Sequence, residues 1–148
     1  MAGILFLLDQ MMKEYAEGRL RSGEQHDILN GKVVLRKAYN KGFMLNWCEG
    51  SPELVQKVSV IAGVLLLAYY WLCLKRGTVI RKVGMAMLVG GAWSNTYDRL
   101  IRGHVIDYFG FRTKNEQISK VTFNLGDMFI FGGNLLVTLA SVFRKGKS

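Results

Sequence analysis

Apolar residues in this chain come in blocks. VSVIAGVLLLAYYWLCL (58–74) and VGMAMLVGGAWSNTY (83–97) contain no charge, and FNLGDMFIFGGNLLVTLASVF (123–143) contains one, Asp127. A hydrocarbon core about 30 Å thick needs about 20 largely apolar residues per helix, with a range of about 17–25. The first and third blocks meet that length directly, and the second meets it once Leu100 and Ile101 are included. A fourth block, AGILFLLDQMMKEY (2–15), is shorter and at about 1.5 Å per residue falls under the core thickness. A soluble helical bundle is the competing reading, but LLLAYYWLCL is apolar on every face, unlike the surface helix of a small domain. The first block lacks the basic start and small-residue pattern of a cleaved signal peptide and reads as a retained helix.

The expected fold is therefore an all-α membrane protein, one polytopic domain over residues 1–148. Four transmembrane helices are expected at 2–16, 56–74, 83–101 and 123–143. A small β-rich extracytoplasmic segment fills 17–55, between helices 1 and 2, and an outer loop fills 102–122. The extended runs KVVLRKAY and FMLNW, separated by Asn40-Lys41-Gly42, supply the β character.

The formal net charge of +9 finds its reason in placement. Lys75, Arg76, Arg81 and Lys82 are expected in the short loop between the second and third spans, and Arg144, Lys145 and Lys147 follow the fourth. If all four helices cross, these clusters share one side, and Lys/Arg enrichment makes that side cytoplasmic. Both termini are then cytoplasmic. The outer loops also carry basic residues, so the tight inner clusters carry the assignment. No basic stripe interleaved with aromatics marks a nucleic-acid surface. Cys48 and Cys73 fall on opposite sides and are not expected to pair, and no Cys/His spacing indicates a metal site. The Gly90-Gly91 and Gly132-Gly133 pairs are expected to let helices approach closely.

Few polar residues lie in or beside the spans: Asp9, Lys13, Asn95, Asp98, Arg99, Asp107, Asn124, Asp127 and Asn134. Asp9 and Lys13 are four apart, share a helix face and can pair. Asp98 and Arg99 are adjacent and point in different directions. Asp107 lies in GHVIDYFGF, whose apolar neighbours place this loop back against the membrane surface. Asp127 is one turn into the last helix, so the two carboxylates reach a common depth near the outer boundary. Two carboxylates in a poorly solvated site cannot both ionise: one keeps its proton and the other acts as base. That is the state of an aspartic protease, with acid and base not assignable individually. Two other readings remain open on these residues. Asp127 can be a helix-start residue favoured by the dipole, with Asp107 solvated, or the carboxylates can form a proton or cation relay.

The same residues resemble the lipoprotein signal peptidase (signal peptidase II) family, bacterial membrane aspartic proteases that remove signal peptides from diacylglyceryl-modified prolipoproteins. LLDQMMKEY is similar to the family's Asp-Gln-x-x-Lys stretch, giving Asp9 and Lys13. YNKGFMLN resembles its Asn-x-Gly segment, giving Asn40 and Gly42. GGAWSNTYDRLIRGHVIDYF resembles the Gly-Asn-x-x-Asp-Arg…Gly-x-Val-x-Asp-Phe block, giving Asn95, Asp98, Arg99, Gly103 and Asp107. FNLGDMFI is similar to Phe-Asn-x-Ala-Asp-x-x-Ile, giving Asn124 and Asp127.

The resemblance implies that Asp107 and Asp127 are the catalytic dyad and that Asn95, Arg99 and Asn124 line the site. Asn40 and Gly42 are then near the substrate, with Asp9 and Lys13 in support. It implies cleavage just before the lipidated cysteine, with no cofactor and no metal. The protein is then a multi-pass monomer of the bacterial cytoplasmic (inner) membrane whose partners are the prolipoprotein and the bilayer, with no nucleic acid. A non-catalytic relative that binds lipopeptides or a partner helix is the alternative.

The sequence departs from the family pattern in four places. The first helix begins only eight residues before Asp9, so its cytoplasmic half is expected to be missing or its start to lie upstream. Phe43-Met44-Leu45 replaces a small-residue run, Gly126 replaces an Ala, and Ser94 stands where Gly is common. The bulk at 43–45 is expected to alter substrate preference more than chemistry.

Overall fold

The computed structural model of the protein describes residues 1–21, 23–43 and 47–145. Its elements in chain order are α1 (Ala2–Arg19), β1 (His26–Ile28), β2 (Val33–Asn40), α2 (Pro52–Arg76), α3 (Val79–Ile101), β3 (Val105–Phe111), α4 (Glu116–Lys120) and α5 (Leu125–Lys145). The protein is mostly helical with one small sheet. Each long helix runs past at least one of its expected bounds, while α3 ends at 101 as expected and α5 starts two residues inside its expected start. Pro52 starts α2, with a fixed φ suited to the first turn. Thr78 caps α3 by accepting from the Arg81 N–H. The turn between α2 and α3 is thus only Gly77 and Thr78, and Lys75, Arg76, Arg81 and Lys82 sit in helix ends instead of the expected loop.

Helix α3 is the hub, packed against α1, α2 and α5. Glycines allow the closest approach: a Cβ on Gly84 would lie 2.9 Å from the Gly133 carbonyl oxygen, and one on Gly91 would run into the Gly126 carbonyl. The expected role of the paired glycines holds, with partners Gly84–Gly133 and Gly91–Gly126.

Two helices, α2 (mean hydropathy 1.9) and α5 (1.5), are long and apolar enough to cross a membrane by themselves. Helix α1 carries Asp9, Lys13, Glu14 and Glu17, and both ends of α3 are charged. Yet α1 is inverted relative to a water-soluble helix. Its buried residues are Asp9, Lys13 and Ala16, while Ile4, Leu7, Leu8, Met11, Met12 and Tyr15 are exposed.

The sheet order is β1-β2-β3, both pairings antiparallel. The third strand was not expected. It comes from the loop after α3, not from the segment between the first two helices, and it carries Asp107 opposite Ala38. A register shift in β2 between Leu35 and Ala38 re-aims Arg36. Its guanidinium donates to Thr122 Oγ1 (2.9 Å) and to the Ser119 and Val121 carbonyls (2.8 Å each), stapling the approach to α5. The FMLNW run does not extend as expected at its described ends, since the Phe43 N–H donates to the Trp47 carbonyl at 2.8 Å and turns the chain toward α2. Met44 and Leu45, two of the three bulky residues noted above, lie outside the described residues, as does Lys147.

Candidate active site

Strand β3 and the start of α5 are tied by backbone hydrogen bonds. The Phe123 N–H donates to the Phe109 carbonyl at 2.7 Å, and the Tyr108 and Phe109 N–H groups donate to the Phe123 carbonyl at 2.9 and 3.1 Å. This pairing brings Asp107, two residues before Phe109, against Asn124. Strand periodicity then separates two faces. Val105 and Asp107 line a cavity of about 260 Å³, whereas the Tyr108 hydroxyl accepts from the Leu125 N–H at 2.9 Å.

Asn124 caps α5. Its Oδ1 accepts from the Asp127 N–H at 2.9 Å, and Asp127 Oδ2 accepts from the Asn124 N–H at 3.1 Å, the reciprocal pair of a capping box. Asp127 is thus a helix-start residue and, at the same time, lines the same cavity as Asp107. The free amide of Asn124 points the other way, its Nδ2 donating to Asp107 Oδ1 at 2.6 Å. Asn40 Nδ2 donates to Asp107 Oδ2 at 3.3 Å, and Asn95 Nδ2 donates to Asp127 Oδ1 at 2.9 Å. Each of the four carboxylate oxygens therefore accepts one N–H. Burial pushes the Asp107 carboxyl up to about 7, with the Asp127 charge adding to the rise and the Asn124 and Asn40 hydrogen bonds opposing it.

Arg99, one turn after Asn95 on α3, also lines the cavity. Its Nη2 donates to the Gly42 carbonyl at 2.7 Å, and its guanidinium carbon sits 5.7 Å from the Phe43 ring centroid. The Gly42 N–H in turn donates to Asn40 Oδ1 at 3.0 Å. Arg99 Nε is buried with no acceptor among the described residues. The cavity is lined by Asn40, Phe43, Asn95, Arg99, Asp107 and Asp127, together with apolar residues of α2 and α5. Asn124 does not line it but stands behind both carboxylates, fully buried.

Asp9 and Lys13 also lie behind the cavity. Lys13 Nζ is 2.7 Å from Asp9 Oδ2 and 2.9 Å from Asp98 Oδ2, all three side chains fully buried, and it donates to Asn95 Oδ1 at 2.8 Å. Lys13 thus bridges two buried carboxylates and orients the amide that holds Asp127. Arg102 pairs with the other oxygen of Asp98 and with Glu14. The spacing of Asp98 and Arg102, four positions apart at the end of α3, carried a signal for their pairing. Ser94 and Gln10 were missed as members of this network: Gln10 Nε2 donates to Ser94 Oγ at 2.8 Å and to Asp98 Oδ1 at 3.1 Å.

A family model described as signal peptidase (SPase) II matches residues 1–143. The chain belongs to the signal peptidase II family. It is 34% identical over 136 residues to a lipoprotein signal peptidase of Brucella ovis, covering 90% of this chain and 81% of that protein. It is 29% identical over 140 residues to one of Fusobacterium nucleatum, covering 95% and 82%. The fold is also that of a bacterial membrane enzyme solved by the in meso method at 2.3 Å resolution, with TM-score 0.85 and 17% identity over 99% of this chain and 88% of that one. A second such enzyme, at 1.9 Å, gives TM-score 0.79 and 19% identity, covering 94% and 88%.

Two of this chain's departures from the signal peptidase II pattern meet on Asp9. Ser94 Oγ donates to Asp9 Oδ2 at 2.5 Å, and a Cβ on residue 126 would lie 2.7 Å from that same oxygen. With Ser94 in place, Asp9 occupies the space an alanine at 126 would need.

Proposed function

We propose that this signal peptidase II uses Asp107 and Asp127 as an aspartic dyad to hydrolyse the peptide bond just before a lipid-modified cysteine of a prolipoprotein. The observation that carries the reading is the cavity in which two carboxylates from separate elements meet, every oxygen held by one amide N–H. Each oxygen keeps lone-pair capacity for a water between the two groups. The base takes a proton from that water while the acid protonates the scissile carbonyl, and the pair shares a single proton. The dyad supplies both acid and base.

The other lining groups bind and orient. Among the described residues Arg99 Nε has no acceptor, and a substrate peptide carbonyl brought to it would satisfy it. Arg99 also tethers Gly42, so the turn at residues 40–43 borders the bound chain. Phe43 and the apolar residues of α2 and α5 give the cavity walls that suit a lipidated side chain.

The whole chain acts as one polytopic unit with α1, α2, α3 and α5 crossing the bilayer and both termini cytoplasmic. The inversion of α1, with charges inside and aliphatic side chains outside, supports this, since aliphatic faces are stable against lipid and ion pairs are stable when shielded from it. The sheet and dyad then lie at the outer boundary, in a monomer of the inner membrane.

Mass spectrometry of the product from a diacylglyceryl-modified prolipoprotein, incubated with the purified protein in detergent, tests this function. A product beginning at the modified cysteine is expected. Substrate recovered intact from folded protein, or cut elsewhere, would favour capture of lipopeptides without this cleavage.

A further inference from the structure

A second cavity, of about 450 Å³, lies at the other end of the helices, where α2 turns into α3. Lys75, Arg76 and Arg81 ring it, and Tyr69, Leu72 and Cys73 supply the apolar part. Tyr69, Leu72 and Arg76 fall on one stripe of α2, and Leu65 continues that stripe toward the middle of the helix. Leu65, Tyr69 and Leu72 are all exposed, so the helix presents an apolar track that ends in a cationic rim. The rim is partly built in advance: Arg81 Nη2 donates to Ser141 Oγ at 2.9 Å, and Lys75 Nζ sits 5.2 Å from the centre of the Trp71 ring.

Among the described residues no carboxylate side chain neutralises this rim. Residues 54–97 and 128–148 contain no Asp or Glu, so this end of α2, α3 and α5 carries no acidic side chain. Among the described residues, none of Lys75, Arg76, Arg81 and Lys82 takes part in an ion pair. Basic pockets between membrane helices are sites for anionic lipid headgroups. We infer that this cavity binds the phosphate headgroup of an anionic phospholipid, whose acyl chains lie along Leu72, Tyr69 and Leu65. The inference rests on α2 crossing the membrane and not on the dyad. A free phosphate would satisfy the rim alone, whereas a phospholipid satisfies the rim and the track together.

The test is lipid retention by the full-length protein, delipidated in neutral detergent and read by native mass spectrometry. The probes are phosphatidylglycerol, phosphatidylethanolamine of the same acyl chains, and inorganic phosphate as competitor. Phosphatidylglycerol is expected to be retained preferentially and to survive competition by millimolar phosphate. Arg76→Gln with Arg81→Gln should weaken retention about thirtyfold, the effect of losing two cations at a lipid surface. Lys57→Gln, near the opposite end of α2, should leave it unchanged. If the double variant fails to fold, Lys75→Gln, an exposed side chain, carries the measurement with about a fivefold loss. Prolipoprotein cleavage in lipid-free detergent should be unaffected by these variants, which separates failure here from failure of the proteolytic reading. Equal retention of both lipids, equal retention by parent and variants, or displacement by phosphate would overturn the inference.

Discussion

Asn124 holds Asp107 by a 2.6 Å hydrogen bond from its amide while its backbone and Oδ1 lock Asp127 into the first turn of α5. One residue therefore sets the position of both carboxylates. Asn124→Ala should lower cleavage about a hundredfold, the scale of a small misplacement of reacting groups. It should also cost about 1 kcal/mol of stability from the lost cap. Melting temperature and kcat, measured on the same preparation, separate the two effects, and a large loss of stability with unchanged kcat would count against this role.

Lys13 bridges the buried Asp9 and Asp98 side chains. Lys13→Met leaves Asp9 without its cation and Asp98 with Arg102 alone, a change that costs about 3–5 kcal/mol when a buried pair is broken. Adding Asp9→Asn and Asp98→Asn to the same variant should recover much of that loss, because no buried charge is then left unpaired. Denaturation in mild detergent reads both steps.

Burial raises the Asp107 carboxyl from 3.8 to about 7, and the sign of the consequence follows. Between these values the folded protein binds a proton that the unfolded chain does not. The stability linked to this group is complete below about pH 4 and lost as pH rises through about 7. Melting temperature should fall over that window in the parent and fall less in Asp107→Asn. Cleavage should decline above about pH 7, approaching tenfold per unit, as the shared proton is lost.

Gly126→Ala would set a methyl group 2.7 Å from Asp9 Oδ2 and 3.0 Å from Asn124 Oδ1. Overpacking of this kind costs about 1–3 kcal/mol, and here it pushes on the residue that positions both carboxylates, so cleavage should drop too. Ser94→Gly removes the hydroxyl that fixes Asp9 and should relieve part of the penalty. A thermal double-mutant cycle checks this, and strictly additive effects would show that the two sites are independent.

The long helices were legible because charges interrupt their apolar blocks so rarely, and Asp107 and Asp127 stood out because so few polar residues interrupt or adjoin those blocks. The third strand was not legible. VIDYFGF reads as an apolar loop in isolation, and only its pairing with β2 and with Phe123 makes it a strand. The Asp98–Lys13 pair was hidden for a related reason, since it joins two helices and spacing along one helix reveals only i, i+4 partners such as Asp9 and Lys13. Conversely, NLGD carries the local spacing of a capping box. Asp127 is a helix-start residue and a cavity-lining one at once, whereas Asp107, solvated in the helix-start reading, is buried.

The most direct test of the dyad is single-turnover cleavage of a diacylglyceryl-modified prolipoprotein by the parent, Asp107→Asn and Asp127→Asn, each shown to be folded by its melting curve. Both amide variants preserve shape and should lose at least about a hundredfold to ten-thousandfold in rate, the range supplied by a positioned acid or base, while still binding substrate. Cleavage by either folded variant at the parent's rate would contradict the assignment of Asp107 and Asp127 as the groups that perform the chemistry.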